Sequence, residues 1–385
     1  MKRILIIAQA IEQQYINQLV EALGENVTWD VISGSELSGD RINWIKSPKH
    51  DPSSLKSRLW CWIKHYRFIK KWAKKQDQKY DLIYAVSNPP INSYIGLKLK
   101  EKFNAPFIYM NWDLYPQIIE ATISSPIVKL PCKIWGHWNA KNYPLIDRIV
   151  TIGPQMAEMI RSSTKSDVKL SVISLGINPT ELNPIHKQDN KFLLANNLVD
   201  KFIVLFSGKM GVGHNIELIL QAASHFQDNP DVVFVFIGSG PKYHLIEEYI
   251  ANNNPENVKL FPWQDRDMFP YSIACGDIAI VTEEKAVEGL ALPSRVFSMM
   301  SCGEAIIGIC GEKDDLYRIV MSNGIGECVI DNSPESLSEL VETLRKDTVR
   351  LEQMKKNSRL LIENEYSIEN SIKAYRDLIN ELIKV

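Results

Sequence analysis

The stretch from Glu288 to Gly303, EGLALPSRVFSMMSCG, combines residue types that can hold a phosphate next to a carboxylate. Ser294 precedes an apolar run, so we expect it to cap a short helix that ends at Gly303. The start of a helix offers unpaired backbone N–H groups, and Arg295 adds a bidentate donor for phosphate oxygens. Glu288 lies just upstream, where it can face the group that the phosphate carries. The alternative is an ordinary buried helix with a surface arginine.

A second candidate phosphate site is a glycine-rich turn between a predicted strand, 201–207, and a predicted helix, 216–223. The turn reads Gly208-Lys209-Met210-Gly211-Val212-Gly213. Glycines allow the backbone to approach a diphosphate, and Lys209 adds a point charge. The next predicted strand, 232–237, ends in the similar turn Gly238-Ser239-Gly240. Trp263 follows a further short strand, where it either stacks on a nucleobase or packs against the protein.

The first half of the chain also alternates predicted strands and helices, but its first turn, AQAIEQQ, contains no glycine. We therefore expect a Rossmann-like domain that does not hold a phosphate. Two loops follow predicted strands, one beginning at Asn88 and one at Trp112, and parallel sheets bind ligands at these strand ends. Asp113, between Trp112 and Tyr115, can orient or deprotonate a hydroxyl. A turn or helix-capping aspartate is the alternative.

Residues 41–80 carry twelve Lys and Arg against two Asp and no Glu. Within them, residues 53–75 predict one helix, with an apolar face formed by Leu55, Leu59, Trp62, Tyr66 and Ile69. The basic residues suit an anionic membrane surface, at about 1 kcal/mol for each one near it. The alternative is a core-facing helix with a solvated basic side. Nucleic acid is not favoured as a partner, because no recognition motif accompanies the charge.

The composition is that of a soluble enzyme with about two domains, since the chain has 385 residues and a formal net charge of −2. The six cysteines form no CxxC pair, which argues against a zinc site and a disulfide scaffold. We expect a cytoplasmic chain, because the apolar run at its N-terminus is too short for a signal peptide. Residues 176–197 read as a linker between domains at 1–180 and 198–366.

Taken together, these motifs resemble GT-B glycosyltransferases of the large retaining group called family 4. The resemblance spans nearly the whole chain, is strongest from Phe202 to Gly311, and points to the branch that acts in bacterial surface polysaccharide assembly. In the second half it rests on FSGK at 206–209, FIGSGP at 236–241, CGDI at 275–278, EGL at 288–290, PSR at 293–295 and CG at 302–303. In the first half it rests on NPP at 88–90 and WDLYP at 112–116.

The resemblance implies an α/β protein of the GT-B class, with two facing Rossmann-like domains and a cleft between them. A C-terminal helix, 367–385, would cross back and join the first domain. The resemblance also implies a nucleotide-sugar donor in the second domain, an acceptor in the first, and no cofactor or metal. Lys209, Ser294 and Arg295 would neutralise the donor diphosphate in place of a metal.

Site roles follow from the same resemblance. The catalytic positions are Glu288, Asp113 and Lys209. The donor-binding positions are Gly208, Lys209, Gly211, Gly238, Ser239, Trp263, Gly289, Leu290, Ser294 and Arg295. The acceptor or membrane positions are Asn88, Trp112, Lys64, Arg67, Lys70 and Lys71. The chain departs from the family pattern in one respect, because the second glutamate that holds the donor ribose is replaced by Val296 or Ser298, depending on the alignment.

We therefore predict a cytoplasmic glycosyltransferase, peripheral on the inner face of the plasma membrane. It would move a sugar from a UDP- or GDP-linked donor to a hydroxyl of a glycan or lipid-linked polysaccharide precursor, with retention implied by the resemblance. One alternative is a nucleotide-sugar epimerase of the same architecture, which needs no acceptor. Another is a sugar-binding protein without catalysis.

Overall fold

The computed structural model describes residues 1–51, 53–123, 125–164, 166–211, 213–283, 287–290 and 292–383. The chain divides into two compact units, Met1–Ser174 with Glu369–Val385, and Leu175–Ile368. Each unit has its own parallel sheet, with helices between successive strands. The predicted α/β class is therefore confirmed. Residues 175–180 group with the second unit rather than with the first.

The first unit is a parallel sheet enclosed by helices. Its strands are β1 (Lys2–Ile7), β2 (Val27–Ser33), β3 (Ile42–Lys46), β4 (Leu82–Val86), β5 (Phe107–Asn111), β6 (Arg148–Thr151) and β7 (Leu170–Val172). Its helices are α1 (Gln13–Leu23), α2 (Leu55–Lys74), α3 (Asn92–Phe103), α4 (Gln117–Thr122), α5 (Pro126–Asn142), α6 (Pro154–Ser163) and the terminal α15 (Ile368–Ile383). Among the described residues, the strand order is β3-β2-β1-β4-β5-β6-β7. Every residue of β4 and β5 is buried, as expected for strands covered on both faces.

The terminal helix α15 belongs to the first unit because its buried side chains reach that unit's core. The Tyr375 hydroxyl lies 3.2 Å from the hydroxyl of Tyr15, which also hydrogen-bonds to Tyr84. All three rings are buried. Arg376 Nε donates to the carbonyl oxygen of Ala22 at 2.6 Å. Buried hydroxyls that satisfy one another hold α15 in one position, because leaving any of them unpaired would cost free energy.

The second unit repeats the same design. Its strands are β8 (Phe202–Lys209), β9 (Val232–Ser239), β10 (Val258–Phe261), β11 (Ile278–Thr282), β12 (Ala305–Ile309) and β13 (Gly326–Val329). Its helices are α7 (Lys191–Ala195), α8 (Ile216–Ser224), α9 (Tyr243–Asn253), α10 (Phe269–Ile273), α11 (Arg295–Ser301), α12 (Asp315–Ser322), α13 (Pro334–Lys346) and α14 (Thr348–Asn364). Among the described residues, the strand order is β10-β9-β8-β11-β12-β13.

Helix α2 exists, but its predicted apolar face is partly wrong. Trp62 and Ile69 are buried as predicted, whereas Leu59 is exposed. His65 takes a place in the core, and its Nδ1 lies 3.2 Å from the hydroxyl of Ser47. The buried face of α2 is thus rotated toward His65, which has a hydrogen-bond partner. This rotation leaves apolar side chains such as Leu59 exposed to solvent. The side chain of Leu55 lies outside the described residues.

None of the helices that the structure describes is both long enough and apolar enough to cross a membrane.

Two helical glycines of the first unit provide a test of its packing. A Cβ on Gly96 in α3 would lie 2.1 Å from Cζ of the buried Phe107 ring, while one on Gly136 in α5 would have only Pro116 Cγ nearby, at 3.9 Å. We expect Gly96→Ala to lower the free energy of unfolding by about 1–3 kcal/mol, because an overpacked core must shift. Gly136→Ala, the matched control, should be neutral or stabilising. Urea unfolding of both variants checks this, and an unchanged midpoint for Gly96→Ala would contradict the packing.

Candidate functional site

The candidate donor site begins where β8 and β9 end side by side. The pairing of these strands extends to Gly208 opposite Gly238 and to Lys209 opposite Ser239. Gly208 and Gly238 have φ angles of +144° and +141°, which side chains rarely tolerate. A Cβ on Gly238 would lie 2.0 Å from the carbonyl oxygen of Gly208. Both predicted turns therefore need glycine, because the two backbones touch at this edge.

Arg295, the first residue of α11, points its side chain at the same turn. Its guanidinium carbon lies 4.9 Å from the centre of the Phe206 ring. Its Nη1 atom would be 3.1 Å from a Cβ on Gly208, and this nitrogen has no hydrogen-bond partner among the described residues. Burial lowers the pKa of Arg295 to about 10, so it is still a cation at neutral pH. The structure thus brings together Arg295 and the glycine turn, as the sequence predicts.

His214 holds the other edge of the guanidinium. Its Nε2 lies 2.6 Å from Nη2 of Arg295, and its Nδ1 lies 3.0 Å from the hydroxyl of Thr282. Burial, followed by the positive charge of Arg295, lowers the pKa of His214 to about 4. The ring is therefore neutral near pH 7, and this geometry assigns the proton to Nδ1, which leaves Nε2 to accept from Arg295. Sequence analysis missed this residue, although its place after the glycine turn was a usable signal.

Glu288 lies against the loop that follows β12. Its Oε1 accepts a hydrogen bond from the backbone N–H of Lys313 at 2.7 Å. A Cβ on Gly311 would come within 2.3 Å of the same oxygen. Gly289 has a φ angle of +71°, and Leu290 is buried beside it. The carboxylate is therefore held by a backbone donor, at a loop where glycine leaves room for it.

A second carboxyl cluster, which sequence analysis also missed, lies just after β11. Glu283 is buried, and burial together with the neighbouring Asp314 raises its pKa well above the ordinary value. Burial raises the pKa of Asp314 to about 6, and its Oδ1 accepts from the backbone N–H of Leu316 at 2.7 Å. The raised pKa favours the protonated form of Glu283 beside the carboxylate of Asp314. The positive charge of Arg295 opposes the rise in the pKa of Glu283.

The other predicted donor positions line the same strand ends. Lys209 and Ser239 are exposed where β8 and β9 end, and the Trp263 Nε1–H donates to the Ser239 hydroxyl at 2.7 Å. Ser294 precedes α11, but its side chain makes no capping hydrogen bond. The predicted cap is wrong, because Ser294 has helical φ and ψ angles of −57° and −22° instead of the extended backbone of an N-cap. Its hydroxyl is left exposed.

The candidate acceptor loops of the first unit lie at the ends of the paired strands β4 and β5. Asn88 precedes a cis proline, and its side chain donates to the carbonyl oxygen of Ala10. The backbone N–H of Trp112 donates to the hydroxyl of Ser87 at 3.0 Å. Burial raises the pKa of Asp113 to about 6. The structure therefore brings Asn88, Trp112 and Asp113 to one edge of the sheet.

Helix α5 packs against the second of these loops, residues 112–116. Tyr115 stacks on Trp135 with ring centres 6.1 Å apart and an angle of 21° between the planes. Asn139 Nδ2 donates to the carbonyl oxygen of Tyr115 at 2.8 Å. On the neighbouring α2, the predicted basic positions Lys64, Arg67, Lys70 and Lys71 are all exposed.

Residues 189–361 match the family described as Glycosyl transferases group 1. The chain is a glycosyltransferase with the GT-B fold. This enzyme is 24% identical over 306 residues to WbjE of Pseudomonas aeruginosa, which is named a probable glycosyltransferase, and the match covers 78% of this chain and 75% of WbjE. It is 26% identical over 148 residues to WcaI of Escherichia coli, named for colanic acid biosynthesis, covering 38% of this chain and 35% of WcaI.

Among solved structures, the enzyme is similar to HepE of Anabaena in complex with UDP-glucose. The TM-score is 0.71 at 13% identity, covering 99% of this chain and 100% of HepE. At that identity the similarity shows the fold alone. The predicted GT-B class and transferase activity are confirmed, while the roles of individual residues are still predictions.

The Glu283–Asp314 pair predicts how stability depends on pH. Above the ordinary pKa of a glutamate, the folded state keeps a proton on Glu283 that the unfolded state releases. Stability from this group is therefore complete at low pH and falls by about 1.4 kcal/mol per pH unit until the raised pKa is passed. In Glu283→Gln, an amide N–H replaces the carboxyl proton, and this loss disappears.

Urea unfolding of the wild type and Glu283→Gln between about pH 5 and about pH 8 measures the difference in slope. The variant should gain stability relative to the wild type as the pH rises. The matched control is Glu312→Gln, in the exposed part of the same loop, which should follow the wild type. Parallel curves for wild type and Glu283→Gln would show that Glu283 is ionised when folded.

Proposed function

We propose that this glycosyltransferase moves a sugar from a UDP- or GDP-linked donor to a hydroxyl of a glycan or lipid-linked polysaccharide precursor, with retention of configuration. The observation that carries the donor half is Arg295, a partly desolvated cation whose Nη1 is unpartnered among the described residues and faces the Gly208 turn. The name of the related WcaI supports a polysaccharide precursor, and the complex of HepE with UDP-glucose supports a nucleotide sugar.

In this proposal the donor diphosphate lies across the ends of β8 and β9. Arg295 binds one phosphate with its free Nη1–H, and the exposed Lys209 adds a second positive charge. Backbone N–H groups can reach the phosphate oxygens because the turns lack side chains at Gly208, Gly211 and Gly238. Charge that builds on the leaving diphosphate is then stabilised by groups already in place, which lowers the barrier to transfer. Because Arg295 and Lys209 would neutralise the diphosphate, we propose that transfer needs no metal ion.

His214 has a positioning role in this proposal. A neutral ring that accepts from Arg295 fixes the plane of the guanidinium without competing for the phosphate. If the histidine were protonated, it would repel Arg295 at this distance. The low pKa of His214 therefore keeps the donor site in one charge state across the physiological range.

Glu288 is proposed to contact the donor sugar. Its second oxygen can accept a sugar hydroxyl while Oε1 is held by the Lys313 N–H. Gly289 and the buried Leu290 fix the turn that carries it. Trp263 and Ser239, joined by a hydrogen bond, are proposed to contact the nucleoside.

Asp113 is proposed to act on the acceptor hydroxyl. Burial brings its pKa to about 6, which is suited to a general base working near neutral pH. The exposed basic residues of α2, which suit a large anionic or lipid-linked acceptor, favour transfer over epimerisation, since an epimerase needs no acceptor. Incubating the enzyme with the donor alone and looking for an altered sugar separates these two activities.

We also propose that the enzyme works in the cytoplasm, at the inner face of the plasma membrane. The exposed basic residues of α2 would contact anionic lipids there. All six cysteines are free, which suits a reducing compartment.

The donor proposal predicts the effect of Arg295→Ala. Losing this cation should lower kcat/KM for transfer by about a hundredfold to a thousandfold, a typical loss for one preorganised donor in the transition state. Binding of UDP or GDP, measured by calorimetry, should weaken as well. The exposed Arg266 lies in the same unit, so Arg266→Ala is the matched control and should behave as the wild type. Undiminished transfer by Arg295→Ala would rule out this role.

The acceptor proposal predicts a pH profile. The carboxylate form of Asp113 is the active one, so wild-type kcat/KM should rise with pH through about 6 and then level off. Asp113→Asn should lower kcat/KM by about a hundredfold or more and lose this limb of the profile. Glu120→Gln, an exposed change near the same loop, should keep both rate and profile. A wild-type profile that is flat between pH 5 and 7 would contradict the assignment.

A further inference from the structure

The first unit carries an exposed apolar surface that the donor and acceptor sites do not use. On α5, Ile127, Leu130 and Ile134 are 84%, 67% and 64% exposed. On α2, Trp60 is 52% exposed, and Leu59 and Ile63 are also open to solvent. Large apolar side chains grouped in water mark a surface that binds a partner or a membrane. We call these six residues the α2–α5 surface.

The two halves of the α2–α5 surface are neighbours. Trp62 of α2 and Trp135 of α5 pack edge to face, with ring centres 6.4 Å apart. Trp62 adjoins Ile63 in sequence, and Trp135 adjoins Ile134. Trp62 and Trp135 therefore join the two helices that carry the exposed side chains, and we call this aromatic contact the base of the α2–α5 surface.

The charged residues within helices α2 and α5 have a single sign. Neither α2 nor α5 contains an Asp or Glu. Helix α2 has seven exposed basic residues, Lys56, Arg58, Lys64, Arg67, Lys70, Lys71 and Lys74, and α5 has three, Lys129, Lys133 and Lys141. Lys64 Nζ lies 5.5 Å from the centre of the exposed Trp60 ring, so charge and apolar area are interleaved. This combination complements an anionic bilayer, where lysines meet headgroups while Trp, Leu and Ile enter the acyl boundary.

The base of the α2–α5 surface is also the support of the acceptor loop. Trp62 packs against Tyr115 with ring centres 6.2 Å apart, and Trp135 stacks on the same tyrosine. Asn139 of α5 holds the Tyr115 carbonyl. Tyr115 is two residues from Asp113. The surface and the acceptor loop are therefore joined by direct contacts within one unit.

We infer that the α2–α5 surface inserts into the interface of an anionic bilayer and holds the loop 112–116 at the membrane surface. An acceptor delivered to this loop would then be an amphiphile, with its lipid in the bilayer and its sugar hydroxyl at Asp113. The acceptor half of this inference and the lipid contact of the basic residues rest on the proposed function, whereas the insertion of the six apolar residues goes beyond it. Basic residues alone give a salt-sensitive attraction, and the six apolar residues add a contact that salt does not screen.

Sedimentation with vesicles of phosphatidylglycerol and phosphatidylcholine tests the contact. The wild-type enzyme should bind these vesicles more tightly than vesicles of phosphatidylcholine alone. Leu130→Gln with Ile134→Gln keeps the net charge and should weaken binding by about tenfold for each apolar side chain lost. Val349→Gln is the matched control, because it removes an apolar residue that is at least as exposed from α14 of the second unit, and it should bind as the wild type.

Hydrogen exchange on the same vesicles tests the link to the acceptor loop. Adding vesicles should slow amide exchange in 126–142 and 112–116 and leave β8 and β9 unchanged. The inference is overturned if the double glutamine variant binds vesicles as well as the wild type. It is equally overturned if that variant dissolves a dimer in analytical ultracentrifugation, since the surface would then join two copies. Vesicle binding by an enzyme that fails every transfer assay would instead remove the proposed sugar transfer and leave the membrane contact standing.

Discussion

The placement of one cation, Arg295, sets the requirements for much of the second unit. Its guanidinium lies over the Phe206 ring and is fixed at one edge by a neutral His214. The other edge is open only because Gly208 has no side chain. Phe206, Gly208 and His214, all distant from Arg295 in sequence, are therefore constrained by the need to hold a charged group partly away from water, with no carboxylate paired to it among the described residues. Cation–π contact and a neutral acceptor meet that need.

In the first unit, the main constraint is to hold the loop 112–116 in place at the end of β5. Tyr115 receives stacking from Trp135, an edge contact from Trp62 and a hydrogen bond from Asn139. Helices α2 and α5 thus use their inner faces to support the loop, while their outer faces carry apolar and basic residues. The same pair of helices therefore supports the loop that carries Asp113 and provides the surface for which we propose a membrane contact.

The features that sequence analysis found are those with local signals. The glycine turns and Arg295 were predictable because each depends on residues close together in sequence. Glycines between a strand and a helix indicate a turn whose backbone a ligand can approach, and an arginine at a helix start indicates a phosphate site. Helix α5 was missed because Pro131 lies inside it and its apolar residues face outward, which hides the helical period. Glu283 was missed because only burial beside Asp314, a neighbour from another loop, makes it unusual. The prediction that Ser294 caps α11 was wrong, because the backbone angles of Ser294 are set by the preceding turn and not by its residue type.

The raised pKa of Glu283 changes the charge balance at the strand ends of the candidate donor site. By a count of charged residues, this region has more carboxylates than cations: Glu283, Glu288, Asp314 and Asp315 against Lys209 and Arg295. On that count alone, the strand ends should repel a polyanion. A proton held on Glu283, which its raised pKa favours, removes one of these negative charges, and the start of helix α12 compensates another, because Asp314 accepts from the Leu316 N–H. The electrostatic potential met by an incoming diphosphate is thus more positive than the residue count implies, since the sign of a site depends on its proton occupancy as well as its composition.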